Sequence, residues 1–174
     1  MSRRLWLLLA SVVLTIGLAP FVTAGQSPGV AAVRANADKS WRAGRLDEID
    51  KFADAYPKDE LLAVLRAKAI AARGDYARAE SVLQPFAAAN PAGEAALEAG
   101  LLQQLVGRKV EARRTLQLVM MGDQRNPTAR DYLRAARAAR ALGRFDDANA
   151  FFRDADGLTP NDPSINTEWG DLFV

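Results

Sequence analysis

A short phrase that begins with glycine occurs four times in this chain. The copies begin at Gly44, Gly74, Gly107 and Gly143, so successive glycines are 30, 33 and 36 residues apart. A repeat of about this period is typical of solenoids, in which a unit buries its apolar face only by stacking on its neighbours. The repeat therefore predicts a solenoid of similar supersecondary units.

The fourth copy indicates what one unit is. The alanine-rich stretch 129–142 predicts a helix, and Gly143 follows it, where glycine adopts a left-handed backbone at least cost. A second helix follows, with apolar residues at i, i+3, i+7 and i+10. These residues are Phe145, Ala148, Phe152 and Ala155. Pro160 ends this helix, and because no stretch after residue 30 alternates apolar and polar residues, we expect no sheet.

This pattern resembles the tetratricopeptide repeat, a helix–turn–helix unit of about 34 residues with aromatic and small residues at set places. The fourth unit matches at Tyr132, Ala135, Ala136, Ala139, Phe145, Ala148, Phe152, Ala155 and Pro160. The second and third units match at fewer places, and the first is the weakest, because Ile49 replaces an alanine. An unrelated α-hairpin repeat of the Sel1-like type is the alternative, with nearly the same physical picture.

The resemblance implies an all-α, right-handed α-solenoid of paired antiparallel helices. The units are predicted at residues 30–58, 60–92, 93–127 and 129–162, with a truncated fifth at 163–174. Helices are predicted at 34–42, 46–55, 60–72, 76–88, 94–105, 109–120, 129–141 and 145–156, with a last one from about 164. Small residues are expected at the helix crossings, namely Ala67, Ala79, Gly100, Ala112, Ala136 and Ala148. Because the fifth unit lacks a second helix, we expect a fragment of a longer protein; a natural capping helix is the alternative.

The first 24 residues predict a signal peptide. Two arginines precede an apolar stretch at residues 5–22, and small residues then lead to a cleavage site after Ala24. Residues 25–29 are predicted to be a linker. An uncleaved anchor is the alternative, because 18 apolar residues can just span a bilayer. Both interpretations place the repeats outside the cytoplasm: the cleaved form would be periplasmic or secreted, and the uncleaved form membrane-anchored.

The composition excludes several classes of function. The chain has no cysteine and no histidine, so thiol nucleophiles, disulfides, the usual zinc sites and the commonest general base are absent. The net charge of +2 comes from Arg3 and Arg4 and gives no evidence for nucleic-acid binding. A phosphate-binding glycine loop and a serine or threonine nucleophile motif are also lacking. We therefore expect no enzyme activity, metal, cofactor or nucleic-acid partner.

The resemblance also locates a candidate binding groove. In the tetratricopeptide repeat family the first helix of each unit lines the concave side and contacts the partner. The corresponding residues here are Lys68, Leu101, Gln104, Arg130, Arg134, Arg137 and Arg140. Trp41 is expected to pack in the first unit; a ligand platform is the alternative.

Three of the arginines form a candidate anion-binding site. Arg130, Arg134 and Arg137 have the spacing i, i+4 and i+7, so they share one helix face and could hold a carboxylate or phosphate. Arg130 and Arg134 also correspond to places used by carboxylate-clamp members of the family. Val64 and Glu98 stand where that clamp has lysine and asparagine. The alternative is a solvated arginine face, paired with acidic residues of a neighbouring unit.

Two functions remain. The first is an exported, non-catalytic scaffold whose groove binds a protein or peptide, with an acidic or carboxylate-terminated segment as one expectation. Membrane contact would then occur only through the N-terminal segment, if it is uncleaved. The second is the N-terminal repeat region of a larger exported enzyme, such as a peptidase, with its catalytic domain beyond residue 174.

Overall fold

The computed structural model describes residues 28–122 and 125–173, and within these ranges the chain forms nine α-helices and no strand. The helices are α1 (Pro28–Arg42), α2 (Leu46–Ala55), α3 (Glu60–Ala72), α4 (Tyr76–Ala89), α5 (Glu94–Leu105), α6 (Lys109–Met121), α7 (Ala129–Ala141), α8 (Phe145–Leu158) and α9 (Pro163–Gly170). The predicted signal peptide lies outside the described residues. None of the described helices is both long enough and apolar enough to cross a membrane.

The predicted helices are confirmed, with one difference at the start of the chain. α1 begins at Pro28, six residues before its predicted start, so Pro28 and Gly29 are helical although the sequence placed them in a linker. Proline is well suited to the first turn of a helix, because its backbone nitrogen has no hydrogen to bond there and its φ is already helical. The other starts agree within one residue.

The repeated glycines make the turn inside each hairpin. Gly44, Gly74, Gly107 and Gly143 have φ angles of +70°, +88°, +83° and +74°. In each case the next residue donates its N–H to a carbonyl oxygen of the last helical turn, as Arg144 does to Ala139 at 2.9 Å. This is the helix ending that glycine favours because it has no Cβ to clash. The glycine period is therefore the period of the hairpins.

The odd-numbered and the even-numbered helices form two rows, and the helices are more closely spaced in the odd-numbered row. Each helix packs on the next one in the chain, and α1–α3, α3–α5 and α5–α7 also contact one another. The even-numbered helices make no comparable contacts within their row in the part of the chain that the structure describes. The stack therefore curves toward the odd-numbered helices, which form the inner, concave row, as the resemblance implied.

Small residues allow this close stacking. All six residues predicted at crossings are buried, namely Ala67, Ala79, Gly100, Ala112, Ala136 and Ala148. At Gly100 an added Cβ would lie 2.8 Å from Cδ2 of the buried Leu116, which shows how closely α5 and α6 approach.

The last helix is packed against the helix before it. The ring of Trp169 stacks on Phe152 with the centroids 6.5 Å apart. Its indole N–H donates to Oδ1 of Asn149 at 2.8 Å, and Ile165 is buried in the same cluster. Phe173 is exposed. α9 is therefore docked on α8 and extends the inner row.

Candidate functional site: the groove of the inner row

An apolar cleft of about 340 Å³ opens between α1, α3, α4 and α5. Its floor consists of buried residues: Ala67, Ala79, Leu83 and Leu102. Its walls are larger side chains: Trp41, Tyr76, Leu101 and Leu105. Leu105 is 67% exposed and Tyr76 is 40% exposed, so apolar surface continues from the floor to the mouth. The volume lies in the range of clefts that bind small molecules or side chains.

Two charged residues line this cleft, and they neutralise each other. Nζ of Lys68 lies 2.8 Å from Oε1 of Glu98, which links α3 to α5. Lys68, one of the residues predicted from the sequence for a binding groove, lines this cleft with its charge already compensated. The cleft consequently offers apolar surface and no free charge.

A second cavity, of about 360 Å³, continues the cleft toward α7 and α9. It shares Lys68, Glu98 and Leu101 with the cleft and adds Leu97, Arg137, Arg140, Ala141 and Glu168. We call it the polar cavity, and we call the two spaces together the groove. Four of the seven predicted site residues, Lys68, Leu101, Arg137 and Arg140, therefore line one continuous surface.

Arg137 is held by the chain's own carboxylates. Its Nε donates to Oε2 of Glu168 on α9 at 2.7 Å, and its Nη1 donates to Oε1 of Glu94 on α5 at 3.0 Å. The Glu168 carboxylate raises the pKa of Arg137, with further support from Glu94. Arg137 thus ties three helices of the inner row together.

Arg134 is also occupied. Its Nε donates to the carbonyl oxygen of Ala92 at 3.0 Å, and its Nη2 pairs with Asp131 on the same helix. The predicted row of three free guanidinium groups is therefore absent. The alternative of pairing with acidic residues of a neighbouring unit holds for Arg137, whereas the acidic partner of Arg134 is Asp131 of its own helix. The cause is tertiary packing, which brings acceptors from other units to the arginine face.

Arg130 and Arg140 have no side-chain hydrogen bond or ion pair within residues 28–122 and 125–173. Arg130 is exposed and lines a third cavity, of about 490 Å³, together with Arg42 of α1 and Ser164 of α9. Arg140 is half-buried in the polar cavity. Gln104 links α5 to α7, because its side-chain amide donates a hydrogen bond to the carbonyl oxygen of Ala141 at 3.1 Å.

A capping box fixes the start of the arginine helix. The hydroxyl of Thr128 accepts from the N–H of Asp131, and the Asp131 carboxylate accepts from the N–H of Thr128 at 2.8 Å. Burial alone would raise the pKa of Asp131, but the hydrogen bonds from Thr128 and the charge of Arg134 outweigh it, so the pKa is lowered. Asp131 is therefore ionised at neutral pH and pairs with Arg134.

The sequence predicted Leu101 for the groove and gave a ligand platform as the alternative role of Trp41, but it missed the other two walls of the cleft, Tyr76 and Leu105. One signal in the sequence nevertheless points to the cleft. The residues three positions before the four turn glycines are Trp41, Ala71, Gln104 and Arg140. This series changes from aromatic to small, to polar, to cationic along the inner row. The cleft forms where the series has tryptophan and alanine, because Ala71 leaves space that the neighbouring units do not fill.

No group of histidine, cysteine, aspartate and glutamate side chains that could hold a metal ion occurs among the described residues. The side chains of the groove are apolar or paired, apart from Arg140, and this set suits non-covalent binding of another chain.

No protein-family model matches this chain, and no curated protein matches it in sequence. Similar solved structures exist. A thermophilic tetratricopeptide repeat protein of Thermus thermophilus is 19% identical, with a TM-score of 0.57 over 83% of this chain and 81% of that one. MamA of Desulfovibrio magneticus is 18% identical, with a TM-score of 0.46 over 85% of each chain. A tetratricopeptide repeat protein of Parabacteroides merdae is 19% identical, with a TM-score of 0.48 over 85% of this chain and 59% of that one.

The first of these likenesses, together with the hairpins and their turn glycines, identifies the architecture. The chain has the fold of the tetratricopeptide repeat proteins.

Proposed function

We propose that this protein is an exported, non-catalytic scaffold whose groove binds a peptide segment of a partner protein. The observation that carries the proposal is the groove itself, which runs along α1, α3, α5 and α7 and contains an apolar cleft with exposed walls. Apolar surface that stays open to solvent in a folded protein commonly marks a binding site. A row of first helices gives an extended segment several contacts in succession.

The pairing of the arginines limits which partner charges the groove can recognise. Arg134 is already bound to Asp131 and Ala92, and Arg137 is already bound to Glu94 and Glu168. An acidic or carboxylate-terminated segment would therefore pair with Arg130 or Arg140. The proposal includes such a partner and excludes a grip made by all three arginines on one helix face.

The export part of the proposal rests on residues 1–24. Their basic start, apolar stretch and small residues before the cleavage site form the pattern that a signal peptidase recognises. The mature protein would begin at Gly25 and work in the periplasm or outside the cell. An uncleaved anchor would hold the same groove at the outer side of the membrane.

Site-specific photo-crosslinking tests the groove. A photo-crosslinking amino acid is placed at Leu101, in the groove, or at Leu118, which is 48% exposed on the even-numbered helix α6. In cells of the source organism, the proposal predicts that one defined protein crosslinks from Leu101 and fails to crosslink from Leu118. Equal crosslinking from both positions, or crosslinking only from Leu118, would place the partner elsewhere.

A further inference from the structure

We infer that the groove recognises a two-point pattern on one peptide: a neutral apolar side chain in the cleft and a carboxylate at Arg140. This inference rests on the proposed function and specifies its ligand.

The apolar point follows from the composition of the cleft. Its floor and all four of its walls are hydrocarbon or aromatic, and Leu105 and Tyr76 remain exposed at its mouth. The charges of Lys68 and Glu98 cancel at 2.8 Å. A charged side chain would lose its water there without finding a free counter-ion, whereas a leucine or phenylalanine side chain would gain by leaving water. The cleft therefore selects a neutral apolar group.

The carboxylate point follows from the charges around the polar cavity. Lys68 pairs with Glu98, and Arg137 pairs with Glu168 and Glu94. Arg140 is the one cation lining this cavity that has no ion pair among the described residues. Because it is half-buried and presents a planar fork of donors, it suits a single carboxylate bound through two hydrogen bonds.

The inner row sets the order and the spacing of the two points. The α5 wall of the cleft, formed by Leu101 and Leu105, is the part that adjoins the polar cavity, and Arg140 lies on the next inner helix, α7. Neighbouring packed helices are about 8–10 Å apart, and an extended chain advances about 3.3 Å per residue. The carboxylate should therefore follow or precede the apolar residue by about three positions.

A peptide selection tests this pattern. The full-length protein is immobilised and incubated with a library of N-acetylated, C-amidated hexapeptides, and bound peptides are sequenced by mass spectrometry. We expect enrichment of leucine or phenylalanine together with aspartate or glutamate about three positions away. The best peptide is then titrated against variants, with its acidic residue present or replaced by the corresponding amide.

Each point has a test variant and a matched control. Leu105→Ser removes a cleft wall, and Val110→Ser changes an apolar side chain that is 82% exposed outside the cleft. Arg140→Gln removes the proposed cation, and Arg153→Gln removes an exposed arginine of α8 that lines neither the cleft nor the polar cavity. Each test variant should weaken binding about tenfold or more, and each control should leave the Kd within about twofold. Arg140→Gln should also abolish the preference for the acidic peptide over its amide.

The possible outcomes distinguish a failure of the two-point pattern from a failure of the proposal that the groove binds a peptide. One outcome would overturn the two-point pattern and leave the groove as the binding site. In this outcome the enriched peptides lack the pattern, and they still bind Leu105→Ser and Arg140→Gln but fail to bind Leu101→Arg. If no peptide is enriched, both are overturned. Thermal unfolding of every variant is measured in parallel, because Arg140 also lies in the last turn of α7, where a cation stabilises the helix. A binding loss in a variant with unchanged unfolding supports the pattern.

Discussion

Replacing Arg137 by methionine is expected to destabilise the fold before it affects any partner. Methionine keeps most of the aliphatic stem and removes the guanidinium group, which bonds Glu168 on α9 and Glu94 on α5. Both carboxylates would then stay partly buried without their counter-ion. Hydrogen bonds to charged groups contribute about 1.5–3 kcal/mol, and breaking a fully buried ion pair costs about 3–5 kcal/mol. Because the Arg137 side chain is 29% exposed, we expect a loss of about 2–3 kcal/mol.

Urea denaturation of the Arg137→Met variant measures this loss, with Arg130→Met as the matched control. Arg130 lies on the same helix and is exposed without a partner among the described residues, so its replacement should shift the free energy of unfolding by no more than about 0.5 kcal/mol. A double-mutant cycle with Glu168→Gln isolates the α7–α9 pair, and we expect a coupling of about 1 kcal/mol or more.

The pH dependence of this effect has a definite sign. The pKa of Arg137 is raised in the folded state. Stability from a raised pKa is fully present below the unfolded value and is lost only as the pH rises through the folded value. For an arginine, that loss occurs far above neutral pH. The difference between wild type and Arg137→Met should therefore stay constant between about pH 6 and pH 9. An unfolding free energy equal to wild type, combined with lost peptide binding, would refute the structural role of Arg137.

The other predictions concern packing, acid stability and export. Gly100→Ala should lower the free energy of unfolding by about 1–2 kcal/mol, because the added Cβ would lie 2.8 Å from Cδ2 of buried Leu116. The cost of this overlap outweighs the usual stability gain from alanine in a helix. A variant that is more stable than wild type in chemical denaturation would contradict this prediction. Ala148→Leu should cost about 1–3 kcal/mol through overpacking, and an unchanged denaturation midpoint would show that the site is no close crossing. The pKa of Asp131 is lowered in the folded state, so its carboxylate stabilises the fold at pH values above the ordinary pKa of 3.8, and this contribution is lost as the pH falls through the folded pKa. In Asp131→Asn the denaturation midpoint should therefore fall less steeply than in wild type between about pH 4 and pH 2. Equal slopes for the two proteins would refute this prediction. N-terminal sequencing of the exported protein should show cleavage after Ala24, whereas an intact N-terminus in a membrane fraction would favour the anchor.

The fold was predictable because its signals are local. A glycine with a left-handed backbone ends each first helix, and the sequence shows all four of these glycines directly. The small residues at the crossings recur with the same period, so their burial followed from the repeat. The start of α1 was placed too late, because Pro28 suggests a linker and yet is also suited to a first helical turn.

The electrostatics of the site were less predictable because they depend on contacts between units. Glu94 lies 43 residues before Arg137 and Glu168 lies 31 residues after it, so spacing along the chain does not reveal that the three meet. The acceptor for Arg134 is a backbone carbonyl, which has no sequence signature. The sequence therefore left open whether the arginine face is free or paired, and in the structure two of its members are paired.

The apolar cleft depends on three units at once. Trp41, Tyr76 and Leu105 come from different hairpins, and each alone is an ordinary apolar residue near a turn. Their meeting follows from the stacking of the units and from the small Ala71 between them. The series of residues three places before the turn glycines is the feature through which the sequence could have indicated the cleft.

The central claim is that the inner row of helices receives the partner, and hydrogen exchange tests it most directly. Exchange is followed by mass spectrometry on the full-length protein with and without a saturating amount of the most enriched hexapeptide. We expect slower exchange in α5 and α7, which line the groove, and unchanged exchange in α2 and α6. Protection confined to α2, α6 or α8 would contradict it.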